Sequence, residues 1–125
     1  MSARIFICDA DRVAALTRRA PQPVTVADLV RDALRMRPDR IVIGDIRDGA
    51  AALETLKAWN TGHPGGLSTI HANSAAEAIN RLEDLIGEVA AVAPTRTIQQ
   101  ALDVVVFIRR TAQGRKVEEI VARQA

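Results

Sequence analysis

The chain has 125 residues, a length typical of one domain, of which 48% are hydrophobic and 26% are charged. This ordinary globular composition excludes disordered, collagen-like and disulfide-scaffold classes, and the single cysteine excludes an intramolecular disulfide. The 17 basic and 15 acidic side chains give a net charge of only +2, which is not typical of a nucleic-acid-binding domain. Aromatic residues make up 2% against 22 alanines, so the core is expected to consist mainly of valine, isoleucine, leucine and alanine.

The N-terminal third of the chain predicts a strand and a helix. The apolar run at 4–8 predicts a short buried strand, whereas 9–23 lacks periodicity and predicts an irregular connection with at most a short helix. Thr25 and Asp28 have the spacing of a helix N-cap pair, and an apolar face continues from Val26 towards Pro38. The first helix is therefore predicted at this position.

The middle of the chain predicts alternating strands and helices. The run 40–46 predicts a strand buried on both sides, and Asp48 can cap a helix over 50–60. A glycine-rich turn at 61–66 then precedes a predicted strand over 67–72. This order favours an α/β fold with a parallel sheet.

The C-terminal part predicts two further helices and two strands. Ser74 and Glu77 have the spacing of a capping box that opens the longest helix, whose apolar stripe extends to Val89. A shorter helix follows Pro94 and ends near residue 102, and strands are predicted over 103–109 and 117–121.

Asp45 is the first candidate functional residue. It lies at the carboxyl end of the predicted strand 40–46, which is the edge where open α/β sheets bind ligands. A carboxylate there can hold magnesium through water or orient a water molecule that attacks a phosphate. An N-cap or a surface-turn role remains an open alternative for Asp45.

Two histidines flank the predicted strand over 67–72. His71 ends this strand on the same edge as Asp45, so it is the better functional candidate, whereas His63 lies in the preceding turn and can merely cap a helix. A structural role is the more common one for such a pair. Neither helical i,i+4 spacing nor a cysteine partner is present, so metal binding by the two histidines is not expected.

Two motifs carry a family resemblance. The segments 34–48 and 56–74 together resemble the type II/type IV secretion ATPases, with the greatest similarity to TrbB-type conjugative transfer ATPases. The resemblance covers roughly residues 24–122. It implies a partial RecA-like P-loop NTPase domain of α/β class, with a mostly parallel sheet flanked by helices and without the P-loop strand and helix. The resemblance also implies the domain organisation. A strand plus a connection left from the Asp-box region occupy 1–23, and the C-terminal part of the ATPase domain occupies 24–125.

The resemblance also implies site residues, cofactors and partners. Asp45 takes the place of the Walker B acid and would bind magnesium through water, Arg47 follows it in the same signature, and His71 is the His-box residue near the γ-phosphate of ATP. Asp9 takes the place of an acid of the Asp box and would be a further nucleotide-binding residue. The implied partners are homologous ATPase subunits in a hexameric ring and inner-membrane secretion components. The implied location is the cytoplasm, peripheral to the inner membrane.

Two departures from the family pattern modify the expected activity. The family usually has glutamate where this chain has Asp45, which shortens the reach of the acid by one methylene. Neither Lys57 nor Lys116 follows a glycine, so the 125 residues contain no Gly-Lys-Ser/Thr loop. The chain by itself is therefore predicted neither to bind ATP tightly nor to hydrolyse it. The alternatives are a non-catalytic module that docks into a ring of homologues and, on arginine content alone, a DNA-binding protein, although specific nucleic-acid binding is not expected.

Overall fold

The structure is a computed structural model that describes residues 4–7, 13–16, 22–91 and 95–122. The elements in chain order are β1 (Arg4–Ile7), β2 (Val13–Leu16), α1 (Val26–Leu34), β3 (Ile41–Ile43), α2 (Gly49–Asn60), β4 (Leu67–Ser68), α3 (Ala75–Gly87), α4 (Thr95–Ala101), β5 (Val104–Thr111) and β6 (Gly114–Ala122). The expected α/β class is confirmed. In the part of the chain that is described, no helix is long and apolar enough to cross a membrane.

Four strands form one sheet in the order β2-β1-β3-β4. β3 and β4 are parallel, with Val42 opposite Leu67, whereas β1 is antiparallel to both β2 and β3. The expectation of a mostly parallel sheet is therefore wrong for the described strands. The five residues between β1 and β2 are too few for the crossover that parallel strands need, so these two strands form a hairpin and the chain direction reverses early.

β5 and β6 form a separate two-stranded sheet, an antiparallel hairpin with a register shift after Phe107. The sequence predicts both strands, but shorter ones over 103–109 and 117–121. The hairpin extends over residues 104–122 because Gly114, at φ 118°, permits a tight turn that keeps the strands paired to their ends.

Four boundaries differ from the sequence-based expectations, and the first is the strand expected over 40–46, which extends only over Ile41–Ile43. The connection over 9–23 contains β2, and the strand expected over 67–72 is paired as a strand only at Leu67 and Ser68. α3 ends at Gly87, so Val89 lies beyond the helix and is 53% exposed rather than part of its buried stripe. Asp9 lies outside the described residues.

The helix caps follow the sequence closely. The Thr25 hydroxyl accepts from the Asp28 backbone N–H at 3.2 Å, while the Asp28 carboxylate accepts from the Thr25 N–H at 3.0 Å, which completes the predicted box. These bonds lower the pKa of Asp28 below its ordinary value, the largest cause being the bond from the Thr25 N–H. The Asp48 carboxylate accepts from the Ala51 N–H at 2.8 Å and caps α2.

The core lies around α2, which packs against α1, α3 and α4. β3 contributes two fully buried isoleucines, and the largest fully buried side chains of the core are those of Val30, Ile41, Ile43, Leu56, Ile86 and Ile98. Aliphatic side chains thus supply this core, as the composition predicts. The core anchors β3 on the helices, so the segment that follows β3 has a defined starting point.

Candidate functional site

The carboxyl ends of β3 and β4 form one edge of the four-stranded sheet. Beyond the two strands the segments that follow them remain hydrogen-bonded to each other. The Ile46 N–H donates to the Thr69 carbonyl at 2.9 Å, and the Thr69 hydroxyl donates to the Gly44 carbonyl. Thr69 therefore extends the parallel pairing past the last strand residues. The sequence analysis did not identify Thr69, whose only signal is its position directly after β4.

Asp45 lies two residues past β3 on this edge. Its side chain is 19% exposed and accepts a hydrogen bond from Nε of Arg47, whose own side chain is 52% exposed. Asp48, not Asp45, caps α2, so the N-cap alternative for Asp45 is excluded. A partly exposed carboxylate at this edge can hold a hydrated cation or orient a water molecule.

His71 lies three residues past β4, beyond the carboxyl end of the strand that pairs with β3. Its side chain is exposed and lines a shallow pocket of about 280 Å³. The polar residues around this pocket are Asn73, Glu77, Asn80, Arg81 and Asp84. The lining is mixed in charge, with hydrogen-bond donors and acceptors on one face of α3.

The loop that carries His71 is held at the start of α3. The Ser74 hydroxyl accepts from the Glu77 N–H at 3.1 Å, and the Glu77 carboxylate accepts from the Asn73 N–H at 3.0 Å. In the predicted capping box the Glu77 carboxylate would accept from the Ser74 N–H. It accepts instead from the N–H of Asn73, one residue earlier. A third bond comes from the hairpin, where the Glu119 carboxylate accepts from the Ala75 N–H at 2.9 Å. Glu119 is 44 residues away in sequence, so no local signal could identify it.

The turn at 61–66 lies at the other end of β4. The Trp59 indole donates to the Ile41 carbonyl at 3.4 Å, and a Cβ atom at Gly66 would lie 2.0 Å from Nε1 of Trp59. Gly66 is thus required for the close approach of the turn to α2. His63 is half-buried, and its Nδ1 is buried without a hydrogen-bond partner among the residues the structure describes.

The chemistry of the donor groups sets what the site can bind. Asp45 offers one accessible carboxylate, and no three histidine, cysteine, aspartate or glutamate side chains gather as a metal site within the described ranges. Free backbone N–H groups at a helix N-terminus can bind a phosphate, as can cationic side chains. At the start of α3, however, the N–H groups of Ala75 and Glu77 are already bonded to Glu119 and Ser74. These two N–H groups are therefore not available to a phosphate.

Comparison with known proteins identifies sequence relatives. A probable conjugal transfer protein TrbB of Sinorhizobium fredii is 47% identical over 114 residues, which are 91% of this chain and 34% of that protein. A conjugal transfer protein TrbB of Rhizobium radiobacter is 46% identical over 107 residues, 86% of this chain and 33% of that protein. The chain thus spans about a third of the length of these relatives.

Solved structures and a family match agree with these relatives. The crystal structure of the VirB11 ATPase from the Brucella suis type IV secretion system, in complex with sulphate, is 28% identical with a TM-score of 0.71, and the match covers 79% of this chain and 32% of that one. The pilus retraction motor PilT with bound ADP is 27% identical with a TM-score of 0.64, over 81% of this chain and 30% of that one. The family described as Type II/IV secretion system protein matches residues 9–123. Since this match covers nearly the whole chain, the chain belongs to the type II/IV secretion system protein family.

Proposed function

We propose that this chain supplies the Walker B and His-box part of an ATP-driven motor for conjugal transfer or type IV secretion. The observation that carries the proposal is the position of Asp45 and His71 beyond the carboxyl ends of the parallel strands β3 and β4, which Thr69 keeps joined. In this role Asp45 holds magnesium through water, and His71 contacts the γ-phosphate. Arg47 restrains the Asp45 carboxylate through its hydrogen bond.

By itself the chain is proposed to lack ATP hydrolysis. No lysine follows a glycine in the 125 residues, so the loop that would surround the β- and γ-phosphates has to come from outside them. The proposed partners are homologous ATPase subunits in a hexameric ring and inner-membrane secretion components, at the cytoplasmic side of that membrane. ATP and magnesium are the proposed cofactors of the assembled motor.

A second candidate function is a non-catalytic module that docks into a ring of homologous subunits. Two observations favour it: Arg47 already engages the Asp45 carboxylate, and Glu119 already occupies the Ala75 N–H at the start of α3. Both groups are thus satisfied within the chain, which is the state expected of a site that no longer needs a nucleotide.

A chimera separates the two functions. The part of a TrbB relative that this chain does not match, which would provide the phosphate-binding loop, is joined to this chain, and phosphate release from ATP is measured with magnesium present. If the chain supplies a working Walker B part, the chimera turns over ATP and Asp45→Asn lowers the rate by about 100-fold or more, the scale of a lost water-orienting base. Asp45→Glu, which restores the reach usual in the family, is expected to raise the rate.

The matched control is Asp39→Asn, because Asp39 is an exposed aspartate that precedes β3, at the end of the strand remote from the site. A folded chimera with no turnover, together with binding of the separate 125-residue chain to rings of the relative, would favour the docking module. The opposite result is that the chain alone hydrolyses ATP, in a way that Asp45→Asn abolishes and Asp39→Asn preserves. That result would refute the claim that the chain needs a phosphate-binding loop from outside its 125 residues.

A further inference from the structure

A long-range hydrogen bond reaches from the β5–β6 hairpin to the start of α3. The Glu119 carboxylate, in β6, accepts from the Ala75 backbone N–H at 2.9 Å, across 44 residues of sequence. Ala75 is the first residue of α3 and is 1% exposed, so its N–H is shielded from water. An N–H at this position has no partner within its own helix and needs an acceptor from elsewhere. Glu119 supplies that acceptor, and its negative charge lies at the favourable end of the helix dipole.

Glu119 lies on the face of the hairpin that contacts α3. It is paired with Phe107 in the register of β5 and β6, and both side chains are half-buried. Val105 and Val121, two residues away along each strand, are also paired and line a pocket with Ile79 of α3. Side chains two residues apart on a strand, and those of directly paired residues, share one face of a sheet. The same face therefore contacts α3 at an apolar point and at a polar point.

The apolar part of this contact is incomplete. The pocket at the base of the hairpin has a volume of about 130 Å³, so the side chains around it are not closely packed. Val106 and Ile120, on the opposite face, are 47% and 67% exposed, so that face adds little anchorage within the described residues. A hydrogen bond to a carboxylate is strong and directional. The bond from Ala75 to Glu119 therefore orients the hairpin on α3.

The segment 70–74, which we name the His71 loop, is held at both ends. At its start, Thr69 is bonded to the segment that follows β3, and just past its end Ala75 is bonded to Glu119. The His71 side chain is exposed and has no hydrogen bond or ion pair among the described residues. Its position therefore depends on the backbone of the loop. Ala75 is four residues further on, so the two Cα atoms are at most about 14 Å apart.

We infer that Glu119 is a positioning residue for His71, because it transmits the position of the β5–β6 hairpin to the His71 loop through the Ala75 N–H. Its effect on turnover rests on the function proposed above, whereas the coupling itself can be measured without ATP. Removal of the carboxylate leaves the Ala75 N–H buried without an acceptor, so the start of α3 shifts or admits water. Either change moves the loop that carries His71.

Nuclear magnetic resonance of the purified chain tests the coupling. The sequence contains two histidines, so the ring signals of His71 can be compared directly with those of His63. Glu119→Ala is expected to move the His71 ring signals and to speed solvent exchange of the Ala75 amide by about tenfold or more. The His63 signals are expected to stay in place, because the turn at 61–66 lies at the other end of β4.

Two further variants separate positioning from a general loss of charge. Glu119→Gln keeps an acceptor oxygen of similar reach but loses the charge, so its Ala75 and His71 signals are expected between those of the wild type and Glu119→Ala. Glu118→Ala is the matched control, because Glu118 is the adjacent carboxylate of β6 and is paired with Arg109 at 2.6 Å instead of with α3. This control is expected to leave the His71 signals unchanged.

Two results would overturn the inference. The first is a folded Glu119→Ala chain whose Ala75 amide changes while the His71 signals do not, which would make Glu119 a helix cap alone. The second is an equal movement of the His71 signals in Glu118→Ala. If Glu119→Ala does not fold, Glu119→Gln decides by the same criteria.

The chimera with a TrbB relative measures the consequence for turnover. Glu119→Ala is expected to lower the rate by about tenfold or more, because a small misplacement of a group at the reacting centre has effects of this size. Glu118→Ala is expected to preserve the rate. A chimera without any turnover would count against the proposed function, while the resonance data would still decide the coupling. A working chimera whose rate does not respond to Glu119→Ala would refute the positioning role.

Discussion

Gly49 is the first residue of α2, and the structure leaves no room for a Cβ atom there. An added Cβ would lie 1.9 Å from the Leu85 carbonyl oxygen, 2.9 Å from the Leu85 carbonyl carbon and 3.1 Å from Cγ2 of Val89. The two nearest atoms belong to the backbone of α3, which cannot swing away as a long side chain can. Gly49→Ala therefore tests the contact between α2 and α3 directly.

The direction of the effect is decided by two opposing terms. In a helix interior alanine is more favourable than glycine by about 1 kcal/mol. Helix propensity alone therefore predicts that Gly49→Ala increases the stability, by no more than that amount. The overlap with Leu85 requires the two helices to separate by more than an ångström, and overpacking of this kind costs about 1–3 kcal/mol or more. We expect a net loss, equivalent to several degrees in melting temperature for a chain of this size.

Urea and thermal unfolding, followed by far-ultraviolet circular dichroism, would measure the loss. Gly87→Ala is the matched control, because Gly87 is the last residue of α3, its φ lies outside the left-handed range, and an added Cβ would meet no atom within 4 Å. This control is expected to be as stable as the wild type or slightly more stable. A Gly49→Ala protein at least as stable as the wild type would refute the packing of α2 against α3 described above.

Two further predictions concern the core and the first helix cap. Leu56→Ala, at a fully buried side chain, is expected to lower the free energy of unfolding in urea by about 2–5 kcal/mol. Leu53→Ala, at a half-buried side chain of the same helix, is expected to lower it less. Equal losses would contradict the placement of the core. Because folding lowers the pKa of Asp28, its stabilising contribution is complete above the ordinary aspartate pKa and is lost as pH falls through the lowered folded value. Asp28→Asn should therefore flatten the acid side of the profile of melting temperature against pH, and the control Asp32→Asn, an exposed residue of the same helix, should flatten it less.

The helices were predictable because the signals that start them are local. Thr25, Asp48 and Ser74 each accept a hydrogen bond from a backbone N–H three residues ahead, so a window of four residues contains the whole interaction. The turn at Gly114 is also local, because its φ of 118° is a property of one residue. Structural features that depend only on a few residues close together in the sequence can therefore be predicted from the sequence.

The arrangement of strands was not predictable in the same way. Whether β1 runs parallel or antiparallel to β3 depends on β2, which is only four residues long and lies in a stretch whose sequence predicts an irregular connection. The separation of β5 and β6 into their own sheet depends on pairing partners that are not neighbours in sequence. An apolar run indicates that a strand is buried, but it does not specify the strand beside it.

The candidate site combines both kinds of feature. The positions of Asp45 and His71 beyond β3 and β4 could be predicted because each follows a recognisable strand. Thr69 and Glu119, which hold their segments in place, act through bonds that the sequence does not indicate. These supporting bonds all involve backbone groups, at Gly44, Ile46 and Ala75.

The position of the candidate site therefore depends on the backbone, whereas the side chains of Asp45 and His71 contribute little to the core. The His71 side chain is exposed and that of Asp45 is 19% exposed, and neither belongs to the core cluster. Their substitution removes no buried apolar surface, so it is expected to leave the free energy of unfolding almost unchanged. A loss of turnover in the Asp45→Asn chimera would then report on chemistry, whereas the same loss after substitution of Thr69 would report on the geometry that joins β3 to β4.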